Sequence, residues 1–160
     1  MKVAIIMGSK SDYPVLEKTE KVLADFGVEF ETRIMSAHRT PAAAHEFAEK
    51  AEENGFEVII AAAGKAAHLA GVLASKTPLP IIGIPVKSST LDGLDSLLST
   101  VQMPKGVPVA TVAIDGAENA ALLAIQMMSL KYPELREKMK AYKVKMEEEI
   151  MAIDAEFQNR

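Results

Sequence analysis

The chain has 160 residues and a formal net charge of −4, which fits one domain able to bury about two-thirds of its surface without a staple. Hydrophobic residues make up 49% but aromatics only 5%, with no Trp and nine Met, so small aliphatic side chains and methionine must fill the core. The absence of Cys excludes disulfides, thiolate catalysis and Cys-ligated zinc, and the acidic balance offers no basic field for nucleic acid.

The run Val3 to Met7 is continuously apolar and ends at Gly8, as a strand buried on both faces reads. It is too short for the apolar core of a secretory leader, and no run approaches the roughly 20 residues of a membrane span. A cytoplasmic protein with no membrane contact is expected. Val15, Leu16, Val22, Leu23 and Phe26 then recur at helical spacing, with Gly27 as the stop signal. Val28–Met35 reads as a second strand and Pro41–Asn54 as a helix. Val58–Ala62 is a third strand, and residues 66–75 a short Ala-rich helix. Pro80–Ile84 is a fourth strand, followed by a helix marked by Leu94, Leu97, Leu98 and Val101. Val107–Ile114 is a fifth strand. Residues 117–130 form a helix apolar almost all round, and Pro133 opens the last one. Strand followed by helix, repeated five times, predicts an α/β doubly wound parallel five-stranded sheet with right-handed crossovers.

In the last helix Leu135, Met139, Tyr142, Met146, Ile150, Ile153 and Phe157 form a stripe on a highly charged segment. The stripe fits either a helix folded back on its own domain or an arm packed on a neighbouring subunit. Because residues 117–130 lack a polar face, the pattern leans toward an oligomer.

Ligands of a doubly wound sheet bind beyond the C-terminal strand ends, so those loops are the places to search. The first is Gly8-Ser9-Lys10-Ser11-Asp12. Its hydroxyls and the following helix start suit a phosphate, and Asp12 suits ribose hydroxyls. An ordinary N-cap explains the same residues, and neither GxGxxG nor GxxxxGK[ST] is present. The second is Ser36-Ala37-His38-Arg39-Thr40-Pro41. Thr40 reads as an N-cap and Pro41 as the first helical residue, which leaves Ser36, His38 and Arg39 for chemistry. His titrates near neutrality, and Arg grips phosphate. The third runs from Ala61 to Gly71 and includes Gly64, Lys65, His68 and Leu69. Its small residues allow close backbone approach to a ligand. His68 in an apolar stretch fits a satisfied core histidine as well as a ligand contact. Lys65 is expected on the substrate side, with an ordinary backbone conformation, because a lysine does not adopt positive φ cheaply. His38, His45 and His68 lack a paired spacing, so no metal is expected.

These segments, with Gly93-Leu94-Asp95-Ser96-Leu97, Val101-Gln102-Met103-Pro104 and Asn119-Ala120-Ala121-Leu122-Leu123-Ala124, resemble in order and spacing the N5-carboxyaminoimidazole ribonucleotide mutase family. That family is also called the catalytic subunit of phosphoribosylaminoimidazole carboxylase. The resemblance runs from about Val3 to Leu130. It implies a flavodoxin-like fold, a homo-octamer with active sites completed by neighbouring subunits, and no organic cofactor or metal; the fold is expected over 1–132, and the apolar stripe makes 133–160 the expected oligomerisation arm. It also implies a ribonucleotide substrate whose carboxylate moves from N5 to C4 through CO₂. His38 matches the catalytic histidine, and Ser9, Asp12 and Arg39 match nucleotide-binding residues. Ser11 and Ser36 share those motifs. Gly64 and Lys65 lie at the start of the segment in which His68 and Leu69 match the part closing over the base.

Lys65 stands where that family commonly has glycine, and Ala70 where it has proline. A sister class that adds CO₂ directly to aminoimidazole ribonucleotide usually carries Lys in place of Arg39 and a basic residue at the position of Lys65. Arg39, Pro41 and His68 side with the mutases. Direct carboxylation and a non-catalytic nucleotide-binding module are the alternatives.

Overall fold

A computed structural model of the chain describes residues 1–89 and 91–159. Five parallel strands form one sheet: β1 (Lys2–Met7), β2 (Glu29–Ile34), β3 (Val58–Gly64), β4 (Ile81–Val86) and β5 (Ala110–Thr111). Their order is β2-β1-β3-β4-β5. The all-parallel sheet is the one expected from the alternation of elements, and its order is the flavodoxin-like one that the resemblance implies. The helices are α1 (Tyr13–Asp25), α2 (Pro41–Lys50), α3 (Leu69–Ala74), α4 (Leu94–Val101), α5 (Ala117–Met128) and α6 (Pro133–Gln158).

The burial pattern follows from that order. β1, β3 and β4 lie inside the sheet, and nearly all their residues are buried. This explains their unbroken apolar runs. The edge strand β2 keeps no fully buried residue and carries Glu31, bridged to Lys2 at 3.1 Å and to Arg33 at 3.0 Å. Ala44, Ala48 and Ala51 pack beside Ile59 and Ile81, so alanine helices sit close to the sheet and aromatic bulk is not needed. The α1 terminus follows the stop signal: Gly27 takes φ +73°, and Val28 N–H returns to the Leu23 carbonyl at 2.9 Å.

Two elements are shorter than the sequence pattern predicts. The fifth strand shrinks from Val107–Ile114 to Ala110–Thr111, with one further ladder bond from Val112 N–H to the Gly83 carbonyl. Pro108 has no N–H to give, and an edge strand gains pairing on one side only. The helix predicted over Pro41–Asn54 is regular only to Lys50, and turns then lead into Gly55 at φ +79°.

The chain divides into two compact units, Met1–Ala124 and Ile125–Arg160. In the second, Leu135 and Met139 are buried, whereas Ile150 and Phe157 are each 66% exposed. The apolar stripe of α6 is therefore covered at its start and open along its last turns. Arg160, the end of the expected arm, lies outside the described residues. Among the described residues no helix is long and apolar enough to cross a membrane.

Candidate functional site

The chain leaves β1 toward β2 on one side and later returns to β3 on the other. The crevice of such a sheet opens at this reversal, above the carboxyl ends of β1 and β3. Met7 pairs with Ile34 of β2 and with Ala62 of β3, so three loops leave the sheet side by side.

After β1, Ser9 caps a short 3₁₀ turn over Lys10–Asp12. Its Oγ accepts from Ser11 N–H at 3.3 Å and from the Ser11 hydroxyl at 2.9 Å. Asp12 follows at 8% exposure. Burial pushes its carboxyl above the usual value, while hydrogen bonds from Ser11 and at the Ser9 backbone, and the positive charge of Arg39, oppose that rise.

After β2, the loop closes on itself. Thr40 N–H donates to the Ser36 carbonyl, and Ser36 N–H donates to Thr40 Oγ1, both at 2.9 Å. Pro41 opens α2 as expected, but Thr40 does not cap it, because its hydroxyl is committed to Ser36. This closed turn presents His38 and Arg39. Arg39 Nη2 donates to the Gly8 carbonyl at 2.6 Å, and Arg39 N–H to Ser36 Oγ at 3.1 Å. The guanidinium thus ties the first two loops together, and its charge is felt at Asp12.

After β3, the backbone departs from expectation. Lys65 sits at φ +56° and His68 at φ +51°, both left-handed, whereas Gly64 does not use positive φ. The ordinary backbone expected for Lys65 is therefore corrected. A left-handed non-glycine residue costs about 1–2 kcal/mol, so the surroundings must hold the turn. Ser99 on α4 does so from both sides: its hydroxyl donates to the Lys65 carbonyl at 3.4 Å, and its carbonyl accepts from His68 Nδ1–H at 2.5 Å. A carbonyl can only accept, which places the proton on Nδ1. The imidazole lies over Gly71, where an added Cβ would collide with the ring.

These loops and the one after β4 enclose a cleft of about 720 Å³. Ser9, Ser11, Asp12, Ser36, His38, Arg39, Gly64, Lys65 and Leu69 all line it. His68 is not in the lining; its ring is used between α3 and α4. Val86, Lys87, Ser88 and Ser89 also line the cleft and were not singled out by sequence. Their signal was positional, since they directly follow a strand buried on both faces. Arg39, Lys65 and Lys87 bring three cations to the lining, against the acidic mean charge of the chain. Among the described residues no three His, Asp or Glu side chains group as metal ligands.

The AIR carboxylase family model matches residues 2–149. The chain is 63% identical over 145 residues to the N5-carboxyaminoimidazole ribonucleotide mutase of Pyrococcus abyssi, covering 91% of this chain and 83% of that protein. It is 57% identical over 150 residues to the Thermotoga maritima protein of the same name, with 94% and 88% covered. Among solved structures it is similar to Treponema denticola PurE, with a TM-score of 0.88, 31% identity and 97% of both chains covered. With the sheet order, the cleft and a family match over nearly its whole length in agreement, the chain belongs to the AIR carboxylase family.

Proposed function

We propose that this chain is an N5-carboxyaminoimidazole ribonucleotide mutase of de novo purine biosynthesis, converting its substrate to 4-carboxy-5-aminoimidazole ribonucleotide. The observation that carries the reading is the meeting of His38, Arg39 and Asp12 in one cleft, in a chain whose relatives carry that name. Ser9, Ser11, Ser36 and Arg39 form the phosphate end, and Asp12 accepts from the ribose. Gly64 and Leu69 border the base, with Lys65 on the substrate side.

Two proton movements follow from the bond changes. The bond from N5 to the carboxylate carbon breaks, releasing CO₂, and N5 takes a proton from the His38 imidazolium. C4 then attacks the CO₂ carbon, and the neutral imidazole removes the C4 proton. One histidine ends as it began, and no external acid, base or cofactor is consumed. The cleft must hold CO₂ between the two steps, which favours closure against water.

The acting form is a cytoplasmic homo-octamer, with residues 133–160 serving as the assembly arm. The exposed Ile150 and Ile153 support the arm, since water-facing apolar residues at helical spacing need cover. Absorbance-monitored turnover tests the activity: the carboxyamino nucleotide is consumed without added bicarbonate. Turnover only on aminoimidazole ribonucleotide with bicarbonate overturns the reading.

A further inference from the structure

The cations of the cleft stand at two ends. Arg39 follows β2, at one side of the crevice. Lys65 follows β3 and Lys87 follows β4, on the other side of the β1 loop. Gly64 and Val86, which immediately precede the two lysines, are register partners. Adjacent strands run about 4.8 Å apart, so the two lysines leave the sheet as neighbours.

Lys87 is held by two carboxylates that do not line the cleft. Its backbone N–H donates to Asp115 Oδ1 at 2.9 Å, and its ammonium pairs with Asp92 Oδ1 at 2.8 Å. Asp92 and Asp115 both take left-handed backbone conformations, at φ +55° each. A third carboxylate, Asp95, is engaged by the Ser88 hydroxyl at 3.3 Å. At this end the lining therefore carries Lys65, Lys87, Ser88 and Ser89, and Asp92, Asp95 and Asp115 are not part of it. The Lys87–Asp92 pair is exposed on both partners, so a ligand anion can displace Asp92 at little cost.

We propose that Lys87 and Lys65 form a second anion subsite, opposite Arg39, which takes the carboxylate of the carboxylated nucleotide, and that Asp92 holds the Lys87 ammonium in reserve until the ligand replaces it. This rests on the mutase reading and adds a specificity contact to it. The ligand class is a nucleotide with an anion at each end: phosphate toward Arg39, carboxylate toward the lysines. A nucleotide without the carboxylate leaves Lys87 on Asp92.

Calorimetric binding of 4-carboxy-5-aminoimidazole ribonucleotide and of aminoimidazole ribonucleotide to the full-length protein tests this. Lys87→Gln should weaken the carboxylated ligand by roughly five- to tenfold and leave the other unchanged. Lys87→Arg should restore the discrimination. Asp92→Asn should tighten the carboxylated ligand by about two- to threefold, because the competing carboxylate is gone. Equal losses on both ligands, or no loss on either, overturn the subsite. So does weakening by Asp92→Asn, which would make the pair a scaffold. If the parent binds neither nucleotide, the mutase reading falls and the subsite with it. If the parent binds both and Lys87→Gln is silent, only the subsite falls.

Discussion

Arg39 Nη2 donates to the Gly8 carbonyl at 2.6 Å, joining the ends of two neighbouring strands across 31 residues of sequence. The guanidinium is therefore oriented before any ligand arrives, and less freedom is lost on binding. Arg39→Ala should weaken nucleotide binding by on the order of 1.5–3 kcal/mol, as a charge-assisted contact does. Titration of the nucleotide and its nucleoside separates the roles, since phosphate recognition requires the nucleoside to be nearly indifferent.

His38 lies in a turn closed by Ser36 and Thr40 and lines the cleft, whereas the His68 ring is bonded to the Ser99 carbonyl. His38→Asn should keep the fold and most nucleotide affinity while losing roughly 10²–10⁴ in turnover. Near-parental turnover would remove it from the proton transfers.

Lys65→Gly should stabilise the protein. The left-handed position suits glycine, and relief of backbone strain of about 1–2 kcal/mol outweighs the greater freedom of glycine when unfolded. A rise in Tm of about 2–4 °C is expected, with modestly weaker substrate binding. A fall in Tm would show that the lysine side chain contributes more than its backbone costs.

Asp12 sets stability against function. Its carboxyl is pushed up chiefly by burial, so the ionised form is less welcome in the folded chain than in the unfolded one. That penalty is present above the folded pKa and disappears as pH falls through it and below the unfolded value. Asp12→Asn should therefore raise Tm at pH 7, with a gain that shrinks as pH falls toward about 4 and is gone below it. If Asp12 accepts from the ribose as proposed, nucleotide binding should fall tenfold or more. A stabilisation independent of pH would assign the effect to packing.

Ending the chain after Tyr132 deletes the α6 stripe from Leu135 to Phe157. Light scattering should then report smaller species or aggregates. An intact octamer would show that the arm does not hold the assembly.

The sequence alone determined the sheet. Val3–Met7, Val58–Ala62 and Pro80–Ile84 read as strands of a parallel sheet, because short apolar runs alternate with helical stretches, and the structure places all three inside it. It also located three of the four cleft loops, since strand ends are where ligands of such a sheet bind. Local pattern could not show that Lys65 and His68 turn left-handed. That conformation is stabilised by Ser99, 34 and 31 residues away in sequence, and is disfavoured by either residue's own propensity. For His68, pattern left a satisfied core histidine and a ligand contact both open, because it follows small residues near a strand end. Tertiary contact decided it: the His68 ring is seated over Gly71 and bonded to Ser99, whereas His38 lines the cleft. Lys87 became visible as a cleft residue only through the register of β4 against β3, which sets its backbone beside that of Lys65.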